Sequence, residues 1–178
     1  DPAAAPAPPA WCAPELEALP GDVCFFAGPA PPDGRRTLVI FLHGLLQSGS
    51  GWQHAQQRGM VRAAERLGFS VLTPRGRVGA NRKGGAGMVA WPTGVDARAR
   101  FEDELLAEWE RARRLVEARR GAPFDEVFVV GFSNGAYYAA SLALRGRLAI
   151  AGVAVFAGGA GHGAPAAVKK DERVPVFV

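Results

Sequence analysis

Short apolar runs alternate along this chain with longer stretches in which apolar residues recur every three or four positions. Six continuous Thr37–Leu42 residues (Thr-Leu-Val-Ile-Phe-Leu) follow the turn signal Pro31-Pro32-Asp33-Gly34 and predict a strand buried on both faces. Further strands are expected over 22–27, 69–73 (stopped by Pro74), 126–130, 149–157 and 174–178. Helical spacing marks 55–67, with Gly68 placed to end it, and Asn134–Leu144. The clearest helix is Val95–Arg120, where Phe101, Leu105, Trp109, Ala112 and Val116 share one face. Its acids come early and its arginines late, which suits the helix dipole. Strand and helix alternating in this rhythm predict a mostly parallel sheet with helices on both faces.

Composition narrows the class. A chain of 178 residues, 48% of them apolar, can build one domain with a real core but not two comfortable ones. No apolar run approaches the roughly 18 residues that span a bilayer, so no membrane span is expected. The net charge of +4 is mild, and the cations neither cluster nor interleave with aromatics, so no nucleic-acid partner is expected. Residues 1–10 run Pro- and Ala-rich from Asp1 and are read as a tail, leaving 11–178 as the folded domain. A start on Asp rather than Met is read as a chain trimmed of its targeting segment, a boundary cut by design being the other reading.

Cys12 and Cys24 are the two cysteines, both just after that tail. A bridge between them would tie the N-terminal segment to the first strand, at roughly 3 kcal/mol in the chain-entropy account. Together with the processed-looking start, the even count favours an oxidising, secreted or periplasmic setting; two buried thiols are the alternative. Two sulfurs and three scattered histidines offer no spaced ligand pairs, so no metal is expected.

Chemistry concentrates at two points. Gly131-Phe132-Ser133-Asn134-Gly135 lies between the apolar strand before it and the small-residue helix after it. That is the context of a nucleophile elbow, a turn so tight that the serine is held strained and lifted above the sheet. Gly131 and Gly135 lack the Cβ atoms that would collide across the turn, and Asn134 brings a helix N-terminal N–H. His43-Gly44-Leu45-Leu46 directly follows Thr37–Leu42, where a second N–H donor for an oxyanion is needed, and Leu45 is placed to give it. His43, on that oxyanion side, reads as a brace for the loop rather than a base.

The string Phe41-Leu42-His43-Gly44-Leu45-Leu46-Gln47-Ser48-Gly49 with Trp52, and the Gly131–Gly135 pentapeptide, resemble the signatures of α/β-hydrolases in the phospholipase/carboxylesterase branch, which includes the acyl-protein thioesterases. The resemblance runs from about Thr37 to Val178 and implies an α/β-hydrolase fold. By position it makes Ser133 the nucleophile and Leu45 and Asn134 the oxyanion donors. Members usually carry Gln after the nucleophile, where this chain has Asn134.

In this fold the acid and the histidine follow later strands. The strand expected to precede the acid is 174–178, where the sequence stops. Three readings compete: a longer enzyme whose remaining part carries acid and base, His162 as a surrogate base, or a domain that only binds. Leu46, Trp91 and His162 are candidates for lining a substrate pocket, Trp91 equally for the core. About sixteen residues separate 149–157 from 174, too few for a large lid. The expected substrate is a small or polymer-derived ester, with an amidase or peptidase on the same scaffold as another outcome. Two further patterns fail. Gly159-Ala160-Gly161-His162-Gly163-Ala164 is followed by Pro165 rather than a helix, so no dinucleotide cofactor is expected. The loop 76–87 lacks a Gly-Lys-Ser/Thr, although Arg75, Arg77, Arg82 and Lys83 there could form a cationic rim.

Overall fold

The computed structural model describes residues 10–31, 33–81, 85, 87–159 and 174–178. Their elements run β1 (Glu17–Leu19), β2 (Val23–Phe26), β3 (Thr37–Leu42), β4 (Leu46–Gln47), α1 (Trp52–Leu67), β5 (Ser70–Pro74), β6 (Arg77–Val78), β7 (Met88–Ala90), α2 (Val95–Arg120), β8 (Glu126–Phe132), α3 (Asn134–Leu144), β9 (Gly152–Phe156) and β10 (Val176–Phe177). Seven strands form one sheet in the order β1-β2-β5-β3-β8-β9-β10. From β5 to β10 every pairing is parallel; β1 and β2 add antiparallel strands at one edge.

Side-chain alternation in the strands decides which helix lies where. Leu38, Ile40 and Leu42 of β3 point to the side where α2 and α3 pack, joining Leu105, Trp109, Val116, Tyr138 and Leu142 in the main core. Phe41 and Val71 point the other way, onto Ala64 and Met60 of α1. The sheet is therefore covered on both faces, as an α/β-hydrolase fold requires. A buried ionic cluster adds to the first layer: Glu102 of α2, 5% exposed, accepts two bonds from Arg145 (2.7 and 2.6 Å) and one from Arg147 (3.0 Å). A carboxylate so placed needs this pairing, because burying it alone would cost several kcal/mol.

A second sheet, antiparallel in the order β4-β7-β6, pins the loop after β3: Leu46 pairs with Val89, and the Ser48 N–H donates to the Gly87 carbonyl (3.0 Å). The sequence predicts most of this segment as loop. Cys12 and Cys24 form a disulfide, and Gln57 of α1 holds the same segment by accepting the Ala13 N–H (2.7 Å) and donating to the Trp11 carbonyl (3.1 Å). Ala10, expected to close the tail, is already tied down: His54 Nε2 lies 2.8 Å from its carbonyl. The interval expected to be too short for a lid falls mainly on 160–173, outside the described residues. No helix among the described residues is long and apolar enough to cross a membrane.

Candidate functional site

Ser133 sits where β8 turns into α3, with φ +51° and ψ −114°, a region that side-chain-bearing residues rarely adopt. The turn is compressed from several sides. A Cβ on Gly131 would lie 2.6 Å from the Gly135 carbonyl carbon and 2.7 Å from Ala136 Cα. A Cβ on Gly135 would overlap the Leu42 carbonyl oxygen and lie 2.6 Å from that of His43. The first turn of α3 is thus seated directly on the end of β3. Gly158, outside the predicted motifs, closes the third side: a Cβ there would lie 2.9 Å from the Ser133 carbonyl oxygen. The Ser133 N–H is held by the Phe156 carbonyl (2.8 Å), and its side chain is half-buried.

The loop after β3 meets this turn. A Cβ on Gly44 would lie 3.4 Å from Ser133 Cβ and 3.0 Å from the Phe132 ring. The Gly44 N–H donates to Gln56 Oε1 (3.0 Å), and Leu45 follows, 38% exposed. Asn134 opens α3, so its own N–H has no intrahelical acceptor. Its side-chain Oδ1 accepts the Trp91 N–H (2.7 Å), and the Trp91 indole N–H donates to the His43 carbonyl (2.8 Å). One tryptophan therefore joins the two segments expected to supply oxyanion donors. The short Asn side chain at this position, where Gln was the family expectation, has a partner of its own. Trp91 itself is fully buried, stacked on Tyr138 with ring centroids 5.9 Å apart. It is a core residue beneath the loop: of the two expectations for it, pocket wall and core, the structure has the second.

His43 is 4% exposed, and both ring nitrogens are engaged. The Gly76 N–H donates to Nε2 (3.0 Å), which leaves Nδ1 to carry the proton and donate to the Gly44 carbonyl (2.5 Å). Trp11 from the disulfide-bound segment packs edge-on to it at 5.3 Å. Burial lowers its pKa to about 4, with the Arg75 charge acting the same way against the pull of the Gly44 carbonyl. A free imidazole titrates near 6.5, so between the two values the unfolded chain binds a proton that the folded one refuses. Stability is full above pH 6.5 and falls as the pH drops towards 4, by roughly 1 to 2 kcal/mol between pH 6.5 and 5. Asp125, whose carboxyl Arg36 holds far down, titrates below that window. Glu15 and Glu102, both lowered by their arginine partners, add a loss towards pH 4 that is common to native protein and His43→Asn, so urea denaturation should show the steeper fall between pH 6.5 and 5 in the native protein; equal falls would refute it.

Among the described residues no side chain accepts a hydrogen bond from the Ser133 hydroxyl. His43 is committed as above, His54 to Ala10, and His162 lies outside the described residues, as do Arg82 and Lys83. Arg75 pairs with Asp22 (2.9 Å) and Arg77 with Glu108 (2.5 Å), so these two do not form an open cationic rim. Among the described residues no group of acidic, His or Cys side chains could hold a metal ion.

Beside Ser133, a groove of about 440 Å³ is lined by Leu45, Leu46, Gln47, Trp52, Ala55, Gln56 and Phe132. Leu46, expected near a pocket, lies there; Trp52, Gln56 and Phe132 were not anticipated. The sequence signal for Trp52 is its place just after the His43–Gly49 string, and for Phe132 its place directly before Ser133.

The family model described as phospholipase/carboxylesterase matches residues 29–167. Two solved structures are similar. One, described as the structure of YahD with malic acid, is 19% identical with a TM-score of 0.46, covering 75% of this chain and 62% of that one. The other, TT1662 from Thermus thermophilus, is 25% identical with a TM-score of 0.45, covering 79% of this chain and 55% of that one. The chain thus spans less than two thirds of either. No curated protein matches it.

Proposed function

The chain belongs to the phospholipase/carboxylesterase family of α/β-hydrolases, and on that premise we propose that it cleaves carboxylic ester or thioester bonds through an acyl-enzyme on Ser133. The observation that carries this reading is the strained backbone of Ser133 at a strand-to-helix turn, its half-open side chain facing the Gly44 loop. Ser133 Oγ attacks the carbonyl carbon, and the negative charge that develops on the carbonyl oxygen is taken by the Leu45 and Asn134 N–H groups. One such donor is worth roughly 3 to 4 kcal/mol in a transition state of this type. A base removes the hydroxyl proton and returns it to the departing alcohol or thiol; water then releases the acid by the same route. His43 is not that base, because neither ring nitrogen is available.

The Cys12–Cys24 bridge supports an oxidising compartment as the place of action. That setting favours small or polymer-derived esters over intracellular acyl-proteins.

A fluorophosphonate probe tests the mechanism without a chosen substrate. The native protein is expected to gain one adduct, mapped by mass spectrometry to the peptide carrying Ser133. No adduct there, or one on another residue, would overturn the acyl-enzyme and favour a hydrolase-like domain that binds without cleaving.

A further inference from the structure

We propose that the groove beside Ser133 holds an uncharged aromatic ring of the ester substrate, with Trp52 as its main contact. The inference deepens the acyl-enzyme reading and rests on it. Three large apolar side chains are left exposed around this one groove: Trp52 (67%), Phe132 (41%) and Leu45 (38%). Gathered at one groove rather than scattered, they offer an apolar surface that a ligand can cover. Position gives the patch its meaning. Phe132 directly precedes Ser133, and Leu45 directly follows the glycine whose absent Cβ leaves room against Ser133. The groove thus shares its edge with both segments that flank Ser133.

The lining also selects the chemistry. Among the described residues that line it none is charged, so these seven side chains suit an uncharged group better than an ion. About 440 Å³ lies within the usual range of small-molecule sites and accommodates a ring with a short linker. The Trp52 indole and the Phe132 ring supply flat aromatic surface, against which another ring gains more than its area alone provides. Polar contact comes from the amides of Gln47 and Gln56; Gln56 uses its oxygen on the Gly44 N–H, which leaves its NH₂ to donate.

The experiment compares ethyl cinnamate, cinnamyl acetate and ethyl acetate as substrates of the native protein, Trp52→Ala and Trp52→Phe. The first two place the ring on the acyl and the alcohol side respectively. Trp52→Ala is expected to lower kcat/KM about tenfold for at least one cinnamyl ester, while ethyl acetate stays within twofold. Trp52→Phe should recover most of the loss. Equal effects on all three esters, or none, would overturn the subsite. Cinnamamide, which is not an ester, separates this from failure of the acyl-enzyme reading. Its binding, read by calorimetry, should be present in the native protein and in Trp52→Phe and lost in Trp52→Ala even if no ester is cleaved; no binding, or binding unchanged in Trp52→Ala, counts against the groove.

Discussion

Ser133→Ala should abolish ester turnover, by on the order of 10⁴- to 10⁶-fold in kcat, while leaving the folded protein almost as stable as before. The two halves of this expectation come from different features of the same residue. Alanine keeps the Cβ, so the backbone at φ +51° stays as strained as it was and the seat of α3 on β3 does not change. What disappears is one hydroxyl, half-buried and without a hydrogen-bond partner among the described residues, whose loss should alter stability by no more than about 0.5 kcal/mol. Turnover and the melting curve, measured on the same preparation, check both halves. Substantial residual turnover would move the nucleophile elsewhere. A large drop in stability would mean that the hydroxyl serves the fold, and the strained turn would then need another explanation.

The parts of this molecule that a reader can find in the sequence are those where one physical requirement dominates a continuous stretch. Thr37–Leu42 reads as a strand because both of its faces are buried, and α2 reads to the residue because its core stripe never lapses. The turn at Gly131–Gly135 is legible for the same reason: close backbone approach tolerates glycine at just those positions. Legibility fails where polar residues are buried. α1 begins at Trp52 rather than 55 because Gln53 and Gln57 face inward to hold the N-terminal segment, which breaks the apolar period. Glu102 sits in the helix as one more acid, and nothing local reveals the two arginines, more than forty residues away, that it accepts. The strands β4, β6 and β7 are two or three residues long and carry no period at all. Trp91 shows the limit at the site itself: its residue type suits a pocket wall or a core equally, and only the bonds to His43 and Asn134 decide.

Gly135→Ala is expected to cost more than about 4 kcal/mol or to prevent folding outright, whereas Gly59→Ala in α1 should stabilise the protein by about 1 kcal/mol. Both positions are helical glycines, so helix propensity alone would favour alanine at each. Their surroundings reverse the sign at one of them. A Cβ on Gly59 meets nothing within 4 Å. One on Gly135 would overlap the Leu42 carbonyl oxygen and crowd that of His43, and neither atom can withdraw. Leu42 is held in register opposite Gly131 of β8, and the His43 carbonyl is held by the buried Trp91 indole. The first turn of α3 would have to lift, and with it the Asn134 N–H and the Ser133 backbone. Urea denaturation of the two variants beside the native protein measures the difference directly. Should Gly135→Ala unfold at the native midpoint, α3 would not rest on β3 as described, and the proximity of Ser133 to the Gly44 loop, on which the acyl-enzyme reading stands, would lose its structural cause.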